Sequence, residues 1–506
     1  MDILEILKTH AETKGNRVFL KHEGVEYSFK RTFENVLKVA GYLKQEGICA
    51  GDRVAIILPN SPEFVFFYYG CAIAGVVSIP IDTRYRKKEI EIILNSCKPK
   101  IIIALKSYHG TDYTHLLGEI TTGIASGIRT VFLDETDILD KNISGKSFQS
   151  FISLSKDNIP MTIMTIMYTS GSTGEPKGAV LTQMNLITNA IAVNERLSIS
   201  EKDVFLLMVP FSHAFGSSVL LNEAIVAGAS VVITDLFDPE RVLSIIAKEN
   251  ITLLYAVPTQ VIQLIEAKKR LNIEVLSLRT GYISGAACTP ELMKQIKSEF
   301  NCDACIAYGM TEASCISISD WKDSCDIREN SAGRPVRGME LRIVDDMGCD
   351  VHPGQPGEIL IRGTSLMNEY FLGNALGDRW FDTGDIGTKD TNGSLMILGR
   401  KKETIIRGGF NIYPAEIERH LLLHEKIKFA AVLGVPDIFY GEKTAACIIP
   451  CDGEIISEDD IRAFCKKHLA SYKVPDYIIT YESMPFTVSR KIRKDILKID
   501  VEKKIK

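Results

Sequence analysis

The chain has 506 residues, of which 45% are hydrophobic and 24% are charged, and its formal net charge is −5. This composition is typical of a globular protein, and at about 150 residues per domain the length predicts two to four domains. A slightly acidic chain is not a typical nucleic-acid-binding protein, because such proteins usually carry a basic domain. The composition still allows a small anionic substrate that is held by a few local cations.

The twelve cysteines are scattered along the chain, which favours a reduced, cytoplasmic protein over a disulfide scaffold. The closest pair, Cys302 and Cys305, has no second tight pair with matching spacing, so a zinc site is disfavoured. Residues 1–8 carry two acidic side chains and lack a basic start, and no signal peptide is expected. We therefore expect a cytoplasmic protein whose thiols mostly fill its core.

Helical and strand patterns alternate along the chain. The amphipathic run 32–45 predicts a helix, and the apolar runs 53–58 and 100–104 predict strands. The uncharged segment 64–81 ends in a β-branched stretch closed by proline, which predicts a helix leading into a buried strand and no membrane span. This alternation predicts an α/β fold with a largely parallel sheet covered by helices.

One unit occurs twice in the sequence. Residues 74–75 and 227–228 are both Ala-Gly, and each pair is followed at the same spacing by an apolar strand and an aspartate, Asp82 or Asp235. The repeat predicts two subdomains of related topology. The clearest break in the chain is the charged stretch near residues 398–402, which predicts one domain over residues 1–399 and a second over 400–506.

Residues 168–178 form the most informative stretch, because glycines, hydroxyl residues and one lysine lie between two apolar strands. Glycines let backbone N–H groups converge on an anion, while hydroxyls and a lysine add donors and charge, so a phosphate cradle is expected. The stretch is not the common nucleotide-binding loop, because Pro176 precedes Lys177 where that motif has glycine.

This stretch resembles the signature of the adenylate-forming enzymes, which include acyl-CoA synthetases, firefly luciferases and the adenylation domains of peptide synthetases. Further segments are similar to motifs of that family and occur in the family's order: residues 210–216, 284–287, 308–312, 380–385, 399–400, 407–418 and 485–491. The resemblance implies a large N-terminal domain of related α/β subdomains and a small mobile C-terminal α+β domain. It places the acid and ATP sites in residues 1–399, next to the domain junction.

The resemblance also implies which residues bind ATP. Asp385 is expected to hold the ribose diol with help from Arg400, and Tyr308 is expected to stack on the adenine. Glu312 and Thr173 are expected to bind Mg²⁺ on the phosphates. The full set implied for ATP or AMP is Thr169, Ser170, Gly171, Ser172, Thr173, Gly174, Lys177, Ser284, Gly285, Ala286, Tyr308, Gly309, Met310, Thr311, Asp385, Arg400 and Lys491.

The catalytic residues implied by the resemblance are Lys491, Glu312, His213 and Thr173. A carboxylate that attacks a phosphate ester meets like-charge repulsion, and a lysine between the two anions offsets it. Arg490 stands where the family usually has glycine, so it is the alternative cation to Lys491. Ile306 is a second departure, at a position that often carries an amide or an acid near the adenine.

The acyl site is expected to be apolar. Adenylation domains for amino acids carry an aspartate directly after the position of Phe215, and this chain has Gly216 there, so an amino-acid substrate is disfavoured. By resemblance, His213 flanks the carboxylate of the acid. The expected pocket residues are His213, Phe215, Ser217, Tyr255, Val257 and Met310, which favour a medium- or long-chain fatty acid.

The expected acceptor is coenzyme A, because Gly408 and Gly409 occupy the place where related ligases let the pantetheine arm pass. Loading of an acyl carrier protein is the alternative. By resemblance, Lys402 is the hinge between two half-reactions. An inactive nucleotide-binding relative also stays open because of Ile306 and Arg490, whereas a general nucleotide hydrolase is disfavoured. The sequence thus predicts an AMP-forming acyl-CoA ligase that uses ATP, Mg²⁺ and CoA.

Overall fold

The computed structural model describes residues 2–124, 127–135, 139, 162–169, 176–451, 453–486 and 492–505. The helices within these residues are α1 (Ile3–Thr13), α2 (Phe29–Gln45), α3 (Pro62–Ile73), α4 (Lys87–Cys97), α5 (Tyr113–Gly123), α6 (Gln183–Leu197), α7 (Asn222–Ala227), α8 (Pro239–Glu249), α9 (Pro258–Leu271), α10 (Pro290–Phe300), α11 (Cys325–Asn330), α12 (Pro414–Leu421), α13 (Glu458–His468) and α14 (Lys494–Ile505). A π-helix, Phe215–Leu221, leads directly into α7.

The strands of the described residues are β1 (Val18–His22), β2 (Val25–Ser28), β3 (Arg53–Ile57), β4 (Val77–Pro80), β5 (Ile101–Ala104), β6 (Ser107–Tyr108), β7 (Thr111–Asp112), β8 (Arg129–Phe132), β9 (Ile163–Thr169), β10 (Lys177–Thr182), β11 (Val204–Leu207), β12 (Ser230–Ile233), β13 (Leu253–Ala256), β14 (Thr280–Ile283), β15 (Asp303–Met310), β16 (Ser314–Ile318), β17 (Arg334–Pro335), β18 (Met339–Val344), β19 (Gly357–Gly363), β20 (Glu369–Tyr370), β21 (Phe381–Lys389), β22 (Leu395–Arg400), β23 (Ile405–Arg407), β24 (Phe410–Ile412), β25 (Ile427–Asp437), β26 (Gly441–Pro450) and β27 (Tyr477–Thr480).

Two large sheets form the first part of the molecule. One has nine strands in the order β17-β16-β15-β14-β13-β11-β12-β1-β2, and the other has seven in the order β20-β10-β9-β4-β3-β5-β8. The central strands of both sheets are parallel, and the antiparallel pairs lie toward the edges. The predicted α/β fold with largely parallel sheets is therefore confirmed.

Helix α3 explains how the two sheets share a core. Ser61 caps its first turn by accepting from the Phe64 amide, and Pro62 is preorganised for the first helical position. The helix then buries a run of aromatic rings, each of which contributes roughly 1.5–3 kcal/mol when removed from water. One apolar cluster joins these rings to α2, α6 and both sheets, so the three helices pack between the sheets.

The segment that most resembled a membrane span, residues 64–81, contains α3 and strand β4, as predicted. Within the described residues, no helix has both the length and the apolar character needed to cross a bilayer. The predicted repeat is also present. Gly75 and Gly228 each follow a helix with positive φ, at 68° and 65°, and each precedes a buried strand, β4 or β12.

Two smaller sheets follow. The four-stranded sheet β18-β19-β21-β22 is antiparallel and ends at Arg400. After a single 3₁₀ turn, Lys401–Glu403, a five-stranded sheet begins at Ile405 and packs α12 on its own apolar cluster. This last part contacts the preceding sheets through Arg419, whose guanidinium donates to the Ile397 carbonyl at 3.1 Å.

Candidate active site

The carboxyl ends of neighbouring strands bring two of the predicted motifs together. Strands β14 and β15 are parallel, with Ile283 opposite Ile306, so the turn after Ile283 lies beside the last residues of β15. The Ser284 amide donates to the Ala256 carbonyl at the end of β13, at 3.2 Å. Residues 284–286 and 308–311 therefore border one edge of the nine-stranded sheet, where α/β proteins commonly bind ligands.

Asp385 is held in place before any nucleotide arrives. It is 6% exposed, and its Oδ2 accepts from the Tyr308 hydroxyl at 2.6 Å. Burial and the nearby Asp385 carboxylate raise the pKa of Tyr308 well above its usual value, so this phenol stays a donor. The Asp385 amide donates to Thr383 Oγ1 at 3.1 Å, which fixes the turn before the carboxylate.

Arg400 lies directly across from Asp385 in the register of β21 and β22. Its Nε is 3.0 Å from Asp385 Oδ1, and its Nη1 donates to the Thr383 carbonyl at 3.0 Å. The carboxylate is buried while the arginine side chain is 46% exposed, so one face of the pair is open to solvent. The predicted pair is therefore brought together.

Glu312 and Lys177 both contact Tyr370, a residue that the sequence did not identify as part of the site. Glu312 is 7% exposed, and its Oε1 accepts from the Tyr370 hydroxyl at 2.7 Å. Lys177 Nζ lies 5.4 Å from the centre of the same ring, within the range of a cation–π contact. Tyr370 reaches this position because β20 pairs antiparallel with β10, opposite Ala179. A carboxylate and an ammonium group are thus held on one aromatic side chain.

The glycine- and hydroxyl-rich loop lies only partly within the described residues. Thr169 ends β9 and Lys177 begins β10, and these two residues are paired across the antiparallel strands. Ser170, Gly171, Ser172, Thr173 and Gly174 lie outside the described residues, as do Arg490 and Lys491. Their predicted roles stay predictions. The flanking residues Phe486 and Ile492 form an antiparallel bridge.

His213 lies beside a buried carboxylate. Its Nε2 is 3.9 Å from Asp82 Oδ2, which also accepts from the Ser212 hydroxyl at 2.7 Å. Arg84 donates to both oxygens of Asp82, at 2.9 and 2.8 Å. Although burial opposes ionisation, these donors lower the pKa of Asp82 to about 2, so the carboxylate is charged at neutral pH. This negative charge therefore lies close to the His213 ring.

Two of the predicted acyl residues, Phe215 and Ser217, lie on the π-helix. Gly216 is required there, because a Cβ at this position would lie 2.3 Å from the Pro210 carbonyl oxygen. Phe215 stacks on Tyr282 with ring centres 5.7 Å apart, and Tyr282 in turn contacts Tyr255 edge-on at 4.8 Å. Ser217, Tyr255 and Val257 are buried, while His213, Phe215 and Met310 are half-buried. Phe215 and Tyr255 therefore share Tyr282 as a neighbour, and the Ser217 hydroxyl donates to the His213 carbonyl at 3.5 Å.

The predicted CoA and hinge residues lie on the last part of the chain. Gly408 and Gly409 form the two-residue turn of the hairpin β23–β24 with φ values of 56° and 86°, the sign pattern of a type I′ turn. The Gly408 amide donates to the Tyr440 carbonyl at 2.8 Å. Lys402 is exposed in the 3₁₀ turn after Arg400.

The sequence did not predict two residues of the site, Tyr370 and Asp82. Tyr370 follows no recognisable motif, and only the pairing of β20 with β10 reveals its place. Asp82 was visible as the end of the repeated unit, but its contacts with Ser212 and His213 span 130 residues of chain. Among the described residues, no group of three or more His, Cys, Asp or Glu side chains is arranged to hold a metal ion.

Two family profiles match the chain. The AMP-binding enzyme profile matches residues 7–371, and the profile of the AMP-binding enzyme C-terminal domain matches residues 416–491. The human mitochondrial medium-chain acyl-CoA ligase ACSF2 is 30% identical over 99% of this chain and 87% of its own length. The 3-[(3aS,4S,7aS)-7a-methyl-1,5-dioxo-octahydro-1H-inden-4-yl]propanoyl:CoA ligase of Rhodococcus jostii (strain RHA1) is 32% identical over 97% of each chain.

Solved structures share the fold from end to end. ATP-bound MatB from Rhodopseudomonas palustris superimposes with a TM-score of 0.89 at 24% identity, over 100% of both chains. The o-succinylbenzoate CoA synthetase MenE from Bacillus subtilis, in complex with its acyl-adenylate intermediate, superimposes with a TM-score of 0.83 at 28% identity over 97% of each chain. Together with the two profiles and the paired Asp385 and Arg400, these similarities identify the chain as a member of the AMP-binding enzyme family.

Proposed function

We propose that this chain activates a medium- or long-chain acid with ATP and then transfers the acyl group to coenzyme A. The chain is an AMP-forming acid–CoA ligase by family and by its relatives; the acyl chain is the finer part of the proposal. The observation that carries the proposed use of ATP is the arrangement of Tyr308, Asp385 and Arg400. A buried, oriented carboxylate next to an exposed guanidinium fits a ribose diol with phosphates nearby.

The first half-reaction joins two anions. One carboxylate oxygen of the acid bonds to the α-phosphorus of ATP, and pyrophosphate leaves. The repulsion between the anions makes fixed cations the main requirement of the site. We assign this role to Lys177 and Lys491, with His213 at the carboxylate of the acid. Arg490 stays the alternative to Lys491, and the loop 170–174 is assigned to the phosphates.

Glu312 fits a magnesium ion. A buried carboxylate is a hard oxygen ligand, and Mg²⁺ is commonly bound by one or two carboxylates together with the phosphates of the substrate. Glu312 keeps one oxygen in the contact with Tyr370, which fixes the orientation of the other. Thr173 is assigned as a second protein ligand. When bound, the ion supplies positive charge to the leaving pyrophosphate.

The second half-reaction requires the CoA sulfur to bond to the acyl carbon while AMP leaves. We propose that the division at residue 400 permits it, with Lys402 as the hinge and Gly408–Gly409 beside the pantetheine arm. Two ion pairs support this hinge. Lys401 Nζ is 2.7 Å from Glu358 in β19, whereas Glu403 is 3.1 Å from Lys494 in α14.

The two ion pairs act as anchors on either side of Lys402, and the second one, between Glu403 and Lys494, is reinforced by a further carboxylate. Lys494 also lies 2.7 Å from Glu418 in α12, and although burial opposes its charge, the two carboxylates raise the pKa of Lys494. Lys401 is thus tied to the four-stranded sheet and Glu403 to the C-terminal domain. Lys402 is the residue between the two anchors, where a change of backbone dihedrals would rotate one domain against the other.

Two alternatives concern the acid and the acceptor. The Rhodococcus jostii relative acts on a ring-bearing propanoyl group with two oxo groups, so a polycyclic acid is the second candidate for the acyl group. An acyl carrier protein is the second candidate for the acceptor. We propose the cytoplasm as the location, on the basis of twelve free cysteines, although the human relative is mitochondrial by name.

The experiment that tests the function measures AMP and pyrophosphate release with a panel of acids, with and without CoA. We expect acid-dependent pyrophosphate exchange and a CoA-dependent thioester. Acid-independent release of phosphate would identify a hydrolase, and a product formed only with carrier protein would replace CoA as the acceptor. Asp385→Ala should weaken ATP binding about 10- to 100-fold, because a charge-assisted hydrogen bond contributes about 1.5–3 kcal/mol. Unchanged ATP affinity in a titration would remove Asp385 from the site.

A further inference from the structure

A cluster of buried polar side chains includes two of the predicted acyl residues, Ser217 and Tyr255, and contacts a third, Phe215. It is formed by the π-helix Phe215–Leu221, the start of α7, and tyrosines from α3, β13 and β14. Its members are at most 1% exposed: Tyr68, Ser217, Ser218, Asn222, Glu223, Tyr255 and Tyr282. We call this set the buried polar cluster. It lies deeper than Phe215, the half-buried ring that stacks on Tyr282.

Glu223 is the centre of the buried polar cluster. Its Oε1 accepts from the Tyr282 hydroxyl at 2.9 Å. Its Oε2 has no hydrogen-bond partner of acceptable geometry among the described residues, although the Tyr255 hydroxyl lies close enough to affect the carboxyl group. Burial raises the pKa of Glu223 to about 8, against the opposing effects of Tyr282 and Tyr255, so the carboxyl group is mostly neutral at pH 7. A neutral carboxyl group can donate one hydrogen bond as well as accept one.

Three further polar atoms of the cluster also lack a partner of acceptable geometry in the described part of the chain. They are the hydroxyl groups of Tyr68, Ser218 and Tyr255. The Tyr68 hydroxyl lies near Ser217, Ser218 and Asn222, which lower its pKa against the larger effect of burial, yet none of them satisfies it. Buried polar groups are normally hydrogen-bonded, and each unsatisfied one costs about 1–3 kcal/mol.

This concentration of unsatisfied atoms is not required by the fold. Tyr69, the neighbour of Tyr68, shows the ordinary solution, because its hydroxyl donates to the Leu221 carbonyl at 3.0 Å. Asn222 is likewise satisfied, because its amide donates to the carbonyls of Ser217 and Ser218 at 3.1 and 2.9 Å. The unsatisfied atoms instead lie next to the predicted acyl residues, because Tyr255 is one of them and Phe215 stacks on the neighbouring Tyr282. A plain hydrocarbon tail placed there would leave them without partners.

We propose that the acid carries a neutral oxygen group, a hydroxyl or a ketone, on the part of its tail that enters deepest, and that Glu223 and Tyr255 bind this oxygen. The inference rests on the proposed function and narrows its substrate class to oxygenated acids. Both side chains can donate to a carbonyl and can accept from a hydroxyl. A neutral oxygen can bind without ionisation of the buried Glu223, whereas an ammonium group would require that ionisation.

The test is a scan of acids of equal carbon number, each carrying a hydroxyl, ketone or amino group at successive positions, measured by pyrophosphate exchange. For at least one position of the oxygen, we expect kcat/KM to exceed that of the unsubstituted acid about tenfold or more, the effect of one hydrogen bond of about 1.4 kcal/mol. Equal or better use of unsubstituted acids would overturn the inference. A preference for the amino-substituted acid would also overturn it.

Variants identify the residues that produce the preference for the oxygenated acid, expressed as the ratio of its kcat/KM to that of the unsubstituted acid. Glu223→Leu should bring the ratio of the two kcat/KM values close to one, because the unsubstituted acid then meets an apolar wall. Tyr255→Phe removes a single oxygen and should reduce the ratio in part. Tyr481→Phe is the matched control, because it also removes a phenol oxygen, one that donates to Asp500 at 2.7 Å in the C-terminal domain, and it should leave the ratio unchanged.

The outcomes separate the two proposals. If no acid supports exchange, the proposed function fails, and this inference fails with it. If acids are used but Glu223→Leu changes only the thermal stability and leaves the ratio as in the wild type, the buried polar cluster is structural and only this inference fails. The scan on the wild-type protein needs no variant, so it decides the matter even where Glu223→Leu does not fold.

Discussion

The carboxylates of the proposed nucleotide site and the groups beyond residue 400 are held in different ways. Asp385 and Glu312 are less than a tenth exposed, and each accepts from a tyrosine hydroxyl before any ligand binds. Lys402 and the turn Gly408–Gly409 are instead exposed on the surface of the last domain. The contrast fits the proposed mechanism, in which the groups that hold the nucleotide stay fixed, while groups needed for one half-reaction are carried by a domain that turns.

The largest effect is expected for a substitution in the C-terminal domain. Lys491→Ala should slow adenylate formation about 10³-fold, because a preorganised charge near the developing anion is lost. Thioester formation from a supplied acyl-adenylate should stay close to that of the wild type. The measurement is each half-reaction alone, and Arg490→Ala is the matched control. Loss of adenylation in the arginine variant alone would assign the catalytic cation to Arg490.

Lys402→Pro tests whether the hinge lies between the two anchors. Proline fixes φ near −65° and blocks a large dihedral change. We expect thioester formation to fall roughly 10²-fold, the cost of a misplaced reacting group, while adenylation is largely kept. Lys402→Ala is the control and should affect neither step strongly. Equal losses in both steps for the proline variant would show that residue 402 is not the hinge.

Lys177→Ala tests the fixed side of the comparison. Removing one charged donor from the phosphates should lower the rate of pyrophosphate exchange roughly 10²-fold. Lys177→Arg keeps the charge and should restore part of the rate. Thioester formation from a supplied acyl-adenylate should be nearly unaffected, because pyrophosphate has already left. Near-normal exchange in the alanine variant would contradict the assignment.

Tyr370→Phe should give the smallest of the four effects. The ring beneath Lys177 is kept, while the hydroxyl that orients Glu312 is lost. A neutral-to-charged hydrogen bond contributes about 1.5–3 kcal/mol, so we expect a loss of about tenfold, concentrated in the dependence of the rate on Mg²⁺ concentration. Tyr370→Leu also removes the ring and should add a loss at the lysine. An unchanged Mg²⁺ dependence would exclude Tyr370 as the residue that orients Glu312.

The sequence predicted the fixed side of the site better than its surroundings. Asp385 and Arg400 belong to motifs, and the short antiparallel pairing of β21 and β22 places them opposite each other. Tyr370 and Glu223 could not be predicted in this way. Tyr370 meets Glu312 across 58 residues and Glu223 meets Tyr282 across 59, and such contacts arise from sheet packing and leave no periodic pattern in the chain.

The fold shows the same difference between features set by local residues and features set by long-range contacts. Helix α3 and strand β4 were predicted because a run of apolar residues, a proline and a glycine each act on the local backbone. The order of strands in the nine-stranded sheet depends on long-range parallel pairing, and no local residue specifies that β1 lies next to β12. The π-helix at Phe215–Leu221 was also not predicted, because its wide turn depends on the close approach of Gly216 to Pro210.

The turn between the domains has a practical consequence for limited proteolysis. Arg400, Lys401 and Lys402 are three consecutive trypsin sites, but the first two side chains are held by Asp385 and Glu358, and Lys402 alone is free of a described ion pair. A protease would therefore cut preferentially after Lys402 and release a C-terminal fragment that keeps its own apolar core. The rate of that single cut, measured with and without acid and nucleotide, would therefore report on the position of the last domain without any label.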